Sequence, residues 1–336
     1  MTKTSHTLIL ILAALLLTHC AAAFPVTVTD CYGNDITIKE QPQRIVSLIP
    51  SNTEILFAVG AGDTVVGVTS SDNYPPEVAN IAQVGGYATI DTESIVDLEP
   101  DVVLAYSANG NDTLDALKNL GLMVITVDST TMDDILHNIQ LIGTITGHEE
   151  EASVLTANMT AVVDTISSQT DGIPEDERPG VLFLVSFDPM YVAGKDSFPD
   201  SLIRLAGGRN IIEAEKWPQI ALEEVVDQNP QIIICSGMGT YGNTIKQQVM
   251  NNSIIAGTDA VMNQQVYVMS DSNLIERPGP RVVQGLEEIY GYISLEQTPA
   301  EAPASSNMNT APGFTSWITA VMTVAAVTAH KRHKKP

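Results

Sequence analysis

Two stretches of this chain, ESIVDLEPDVVLA (Glu93 to Ala105) and EEVVDQNPQIIIC (Glu223 to Cys235), place a carboxylate seven residues ahead of a proline in matching positions. An acid at the start of a helix complements the helix dipole, so neither copy needs a further role on these grounds alone. Other chemistry is thin. The glycine-rich GAGDTVVG (Gly60 to Gly67) follows a helical pattern instead of a strand and carries no Walker lysine, which argues against a phosphate cradle. No G-x-S-x-G nucleophile elbow occurs. A directly held transition metal wants three or more converging His or carboxylate ligands. Between the terminal segments only His137 and His148 remain, both in helical stretches. An enzyme and a metal carrier are therefore both disfavoured.

The elements that must position these residues follow a repeated grammar. Short β-branched runs, RIVSLIP (Arg44 to Pro50), TVVGVTS (Thr64 to Ser70), DVVLAYS (Asp101 to Ser107) and LMVITVD (Leu122 to Asp128), alternate with helical patterns. One of these, SNTEILFAVG, offers Ser51 and Glu54 as a capping box, and NDTLDALKNLG closes on Gly121. PGVLFLVS, MYVAG, QIIICSG and QVYVMS repeat the scheme in the second half, and RVVQGLEEIYGYI ends it as a helix. Strand, helix, strand at this spacing predicts parallel sheets covered by helices, with the ligand edge at the strands' carboxyl ends. Gly147 to Thr170 keeps helical spacing throughout and begins with Glu149, Glu150 and Glu151, so one long helix is expected to join two α/β lobes. Each doubled phrase is then one helix-to-strand corner, used once per lobe. The predicted organisation is a leader over 1–23, lobes over 24–146 and 171–296, a linker helix over 147–170, a spacer over 297–311 and a terminal segment over 312–336.

Residues 1–23 combine Lys3, an apolar run from Leu8 to Leu17 and Ala21 to Ala23, the pattern of a secretory signal cleaved after Ala23. LTHC (Leu17 to Cys20) resembles a lipoprotein signal, except that His19 stands where a small residue is expected. Near the other end, QTPAEAPASSNMNTA reads as a spacer that cannot build a core. Pro-Gly-Phe, an apolar segment to Ala329 and a basic end follow, an order that resembles the archaeal surface-sorting signal named for that tripeptide. Lipid anchoring after cleavage is implied, and a plain membrane anchor gives the same extracellular address. Five of the 16 basic residues lie in these end segments, which leaves 11 against 40 acidic ones. Such a body repels nucleic acid. Cys31 and Cys235 survive leader removal. Cys235 sits in an apolar run and reads as a buried thiol, and their pairing stays open. Sequons at Asn111, Asn158 and Asn251 are compatible with surface glycosylation.

The body from RIVSLIPSNTEILFAVG to IERPGPRVVQGLEEIYGYI resembles the substrate-binding proteins of ABC importers for cobalamin, heme and iron-siderophores, most of all the cobalamin-binding branch. SDNYPPEV, VGGYATIDTESIVDLEPDVVLAYSANGN, YVAGKDSF, GGRNII, WPQIALEEVVDQNP and SDSNLIERPGPR carry that resemblance in combination. It implies two Rossmann-like lobes with mostly parallel sheets, a single helical linker and a ligand cleft between the lobes. It implies a monomeric, membrane-tethered binding protein without resident cofactor or metal, whose transported ligand is a corrinoid. Its partners would be a permease dimer and that permease's ATPase subunits. In that family one Glu per lobe docks onto permease arginines, roles that fall here on Glu93 and Glu223. The aromatic cleft positions fall on Tyr74, Tyr87, Tyr106, Phe187 and Trp217, several of them Tyr where relatives tend to carry Trp. Arg277 is expected to reach ligand amide oxygens or a carboxylate, and Arg281 to make a surface salt bridge. An iron-siderophore or heme is the alternative ligand.

Overall fold

The structure, a computed structural model, describes residues 24–297 apart from 87, 238 and 240. The expected leader, most of the expected spacer, the expected sorting segment and Tyr87 lie outside the described residues.

The chain begins in a hairpin that the apolar patterning did not announce. β1 (Val26–Thr29) pairs antiparallel with β2 (Asp35–Ile38), and the Asp30 carboxylate accepts the N–H groups of Tyr32 and Asn34 to close the turn. From there strand and helix alternate as the spacing demands. The first lobe comprises β3 (Ile45–Ser47), α1 (Pro50–Ala58), β4 (Val65–Val68), β5 (Ala82–Gln83), the small hairpin β6 (Gly85–Gly86) and β7 (Thr89–Ile90), α2 (Thr92–Asp97), β8 (Val102–Ala105), α3 (Asn111–Asn119), β9 (Val124–Thr126) and α4 (Met132–Thr146). Its sheet runs β5-β4-β3-β8-β9 with every pairing parallel. After α5 (Glu149–Thr170) come β10 (Gly180–Phe187), β11 (Met190–Val192), α6 (Phe198–Leu205), β12 (Arg209–Asn210), α7 (Leu222–Gln228), β13 (Ile232–Cys235), α8 (Gly242–Asn251), α9 (Asp259–Met262), β14 (Val266–Val268), α10 (Asn273–Glu276) and α11 (Val282–Gln297). The second sheet runs β11-β10-β13-β14, with β12 also on β10, and its β11 alone is antiparallel. Every residue of β8 and β13 is buried, as strands covered on both faces require.

The doubled phrase is one corner built twice. α2 and α7 each stop short of the proline, and the residue before it, Glu99 or Asn229, turns into the left-handed region at φ 44° and 42°. The chain then drops into an interior strand of its lobe, β8 or β13.

The 22 residues of α5 span about 33 Å. Ala152, Met159 and Ile166 recur at seven-residue intervals and form its buried stripe. That stripe packs against α4 on one side and against α6 and α11 on the other. One hydrophobic core therefore continues from Ile139 and Ile142 through Met159 and Ile166 to Leu202 and Ile289. The linker is a packed strut that restrains hinge motion between the sheets.

One expectation needs correction, and one open pairing is answered. Ser51 and Glu54 form no capping box: Pro50 takes the first helical position, Ile49 is the N-cap without a side-chain bond, and both Ser51 and Glu54 are buried. The proline shifts the helix start by two residues, so Glu54 falls two positions beyond the capping-box site and turns to a stronger partner across the molecule. The cysteines are both free, Cys31 exposed and Cys235 buried. Burial pushes the Cys235 thiol up to about 12, that of an inert core residue.

Candidate functional site

The carboxyl ends of the two sheets meet. From the first lobe come Glu54 on α1, which follows β3, and the loop Thr69 to Tyr74 that follows β4. From the second comes the segment after β14, which carries Asp271, α10, Arg277 and Arg281. Arg281 grips Glu54 with both oxygens engaged, Nε to Oε2 at 2.8 Å and Nη2 to Oε1 at 2.8 Å. Its Nη1 donates to Asp271 at 3.0 Å. Arg277 donates to Glu54 Oε1 at 3.3 Å, to Asn73 Oδ1 at 2.7 Å and to the Ser71 carbonyl at 3.0 Å. The Arg281 guanidinium also lies over the Tyr74 ring, 4.0 Å from its centroid.

This cluster, taken below as the floor of the proposed cleft, crosses from lobe to lobe. Glu54 is 2 % exposed at its side chain and both arginines are nearly as enclosed. Burial works against the Arg281 charge, yet the hydrogen bonds and charges of Glu54 and Asp271 outweigh it and hold the guanidinium above its ordinary range. Next to the cluster, burial lifts Asp72 above the usual aspartate range, opposed by hydrogen bonds from Thr53 and Thr69 and by the Arg277 charge.

Arg277 therefore does not present an uncommitted guanidinium. Three of its five donors are taken up by first-lobe acceptors, because a buried cation must be paired. Arg281 makes a buried, bidentate bridge between lobes in place of the surface salt bridge that its sequence position suggested.

Of the aromatic candidates, Tyr74 touches this cluster through Arg281, and the others sit in loops or at strand ends of the two sheets. Tyr74 is 42 % exposed just after β4, and Trp217 is 49 % exposed in the loop after β12. Tyr106 is half-buried at the end of β8, its N–H donating to Asn109 Oδ1 at 2.7 Å. Phe187, the last residue of β10, is half-buried and packs on the second lobe's core. The Trp217 loop can lie against β11 because Gly194 has no Cβ; one there would sit 1.9 Å from the Ala214 carbonyl oxygen. Glu93 and Glu223 are exposed in the first turns of α2 and α7, and Asp91, not Glu93, supplies the side-chain cap of α2.

Sequence reasoning overlooked two exposed tyrosines on the same edges, Tyr191 on β11 and Tyr241 at the start of α8. It also overlooked Glu54 as a bridging residue. The signal for Glu54 was a carboxylate inside an otherwise apolar helix, TEILFAV, where a charge is costly unless paired.

A separate cavity of about 330 Å³ lies on the flank of the first lobe between the β1–β2 hairpin and α4. Asp30, Asp128, Asp134 and His137 line it, with Leu141 its main apolar contact. Such a lining does not suit a stacked ring. Among the described residues no group of three or more His, Cys, Asp or Glu is placed to hold a metal ion.

The periplasmic binding protein family model matches residues 45–272, from β3 to the segment after β14. The chain belongs to the periplasmic binding protein family. It is 36 % identical to an uncharacterized ABC transporter substrate-binding lipoprotein, YvrC, of Bacillus subtilis, over 79 % of this chain and 84 % of that one. It is 30 % identical to a cobalamin-binding protein of Halobacterium salinarum, over 79 % of this chain and 73 % of that one. Among solved structures it resembles the periplasmic heme-binding protein RhuT of Roseiflexus sp. RS-1, with a TM-score of 0.65, 27 % identity, and coverage of 75 % of this chain and 97 % of that one. It is thus an ABC-type substrate-binding protein, a non-catalytic transport component that binds a small ligand and works with a permease and its ATPase. The two α/β lobes and long connecting helix are those of this group.

Proposed function

We propose that this binding protein captures a corrinoid, cobalamin or a precursor, in the cleft between its lobes and delivers it to an ABC importer permease. The observation that carries the ligand class is the neutralised floor. Arg277 and Arg281 are committed to Glu54, Asp271, Asn73 and Ser71, so this floor offers little to an anionic ligand. Tyr74 and Trp217 offer ring faces instead. That combination suits a flat macrocycle with neutral amide arms, held by stacking and hydrogen bonds. The likeness to the Halobacterium protein supports the same reading.

Heme or a ferric siderophore is the second reading. Its support is the preponderance of tyrosine at the cleft, since a phenolate can ligate ferric iron, together with the likeness to RhuT. Incubating the purified protein with cobalamin, cobinamide, hemin and ferric siderophores, and identifying the chromophore that co-elutes, separates the two. Corrinoid co-elution is expected, and retention of hemin or a ferric siderophore instead would replace the first reading by the second.

Glu93 and Glu223 are the permease contacts in this proposal, one exposed carboxylate per lobe at equivalent corners, facing cations of a partner with two like halves. The protein acts as a monomer outside the cell, held at the membrane through its C-terminal segment. Intact-mass analysis of membrane-derived protein tests that placement: recovery of the peptide ending KRHKKP in stoichiometric amount would overturn cleavage at the sorting signal and leave a transmembrane anchor.

A further inference from the structure

The lobes are equivalent beyond the doubled phrase. β8 in the first sheet lies between β3 and β9, and β13 in the second lies between β10 and β14, each next to last in its strand order. Each leads through a loop into a helix, and the loops YSANGN and SGMGTYGN both finish on Gly-Asn, Gly110–Asn111 and Gly242–Asn243. Each loop carries one aromatic residue, Tyr106 in the first lobe and Tyr241 in the second.

Tyr241 is 65 % exposed, the most exposed large apolar or aromatic side chain among the described residues. Its phenol makes no hydrogen bond to any described residue, so neither folding energy nor a polar partner accounts for a ring in this place. Solvent exposure of a whole aromatic face carries no stabilisation by itself.

Gly239 and Ser236 of this loop are nevertheless tied to the segment that follows β14. The Gly239 N–H donates to Ser272 Oγ at 2.9 Å, Ser272 Oγ donates to Glu276 Oε2 at 3.2 Å, and Ser236 Oγ donates to Glu276 Oε1 at 3.0 Å. The next residue, Arg277, crosses to Asn73 and Ser71 beside Tyr74. Gly237 supplies the reversal: it adopts φ 59°, and a Cβ there would meet the Gly242 nitrogen at 2.6 Å. The chain thus braces the Tyr241 loop against the segment whose Arg277 reaches Asn73 and Ser71 of the first lobe.

We infer that Tyr241 is a ligand-contact residue, the second lobe's counterpart of Tyr106, and that it covers one face of a flat conjugated ligand. This inference rests on the proposed macrocycle reading and adds to it a residue that neither the sequence pattern nor the family resemblance supplied. A ring on each side lets a rigid cleft grip a planar ligand from both faces without wide closure, in keeping with the packed α5 strut.

The test is equilibrium titration of the purified full chain with cyanocobalamin and with hemin, read by quenching of intrinsic fluorescence, for the unaltered protein and for Tyr241→Ala, Tyr241→Phe and Leu120→Ala. Leu120 is the control because it is an exposed apolar residue at the C-terminal end of α3, the end opposite the YSANGN loop. Tyr241→Ala should weaken binding of the preferred macrocycle about tenfold or more, the loss expected of a stacked aromatic anchor. Tyr241→Phe should stay within about threefold of the unaltered protein, and Leu120→Ala should be indistinguishable from it. Equal affinity for the unaltered protein and Tyr241→Ala overturns the inference while leaving the macrocycle reading intact. An equal loss in the Phe variant overturns the stacking role, and failure of the unaltered protein to bind either macrocycle overturns both readings together.

Discussion

Removing Glu54 tests whether the lobes are joined at the cleft floor by charge pairing. The Glu54 carboxylate accepts three hydrogen bonds from two arginines and is 2 % exposed at its side chain. Glu54→Ala leaves Arg281 with Asp271 and the Tyr74 ring, and Arg277 with Asn73 Oδ1 and the Ser71 carbonyl. Deleting one partner of a buried ion pair costs about 3–5 kcal/mol, because the surviving charge is stranded. The surviving acceptors place this case near the lower end, at about 3 kcal/mol. For a body of this size each kcal/mol moves the midpoint by about 2–4 °C, so thermal unfolding at pH 7 should fall by about 6–12 °C. Raising the ionic strength to several hundred millimolar should change that difference little, since enclosed pairs are weakly screened. A midpoint within 2 °C of the unaltered protein, or a difference abolished by salt, would refute the claim that this cluster clamps the lobes.

Three further outcomes follow from the same geometry. Trp217→Ala should weaken corrinoid binding by about 1–4 kcal/mol in equilibrium titration, and an unchanged affinity in a folded variant would remove Trp217 from the site. The double variant Glu93→Ala/Glu223→Ala should keep its ligand affinity and melting temperature while losing uptake in a reconstituted transport assay, because exposed charges add little to folding; wild-type uptake would defeat the docking assignment. Burial tends to raise Asp271, but hydrogen bonds from Asn273 and Arg281 and the Arg281 charge hold it below the usual aspartate range. It then contributes stability that is present above the unfolded value of about 3.9 and lost as pH falls through the lowered folded value. Acid titration of Asp271→Asn, followed by circular dichroism, should show a smaller stability loss across that window than the parent, and identical acid profiles would contradict this.

The architecture was legible because its signals are local. Buried parallel strands such as Val102–Ala105 and Ile232–Cys235 announce themselves as apolar runs, and α5 shows its length by uninterrupted helical spacing. The β1–β2 hairpin escaped because its turn depends on one carboxylate, Asp30, and its strands alternate only weakly. Placement in an exposed loop was legible where a residue type has few other uses, as for Trp217. It was misjudged where pairing is long-range. Glu54 and Arg281 stand 227 residues apart, and local pattern assigned the first to a helix cap and the second to the surface. Only the fold could show that each exists for the other.

The most direct measurement is the affinity of the purified protein for cobalamin and for hemin, measured side by side at one pH and one ionic strength. With its floor arginines committed to Glu54, Asp271, Asn73 and Ser71, the cleft should bind the corrinoid at least tenfold more tightly than the anionic heme, a difference of about 1.4 kcal/mol. That preference should persist as salt is raised, because stacking and neutral hydrogen bonds are not screened. Tighter binding of hemin, weakening steeply with salt, would contradict the account.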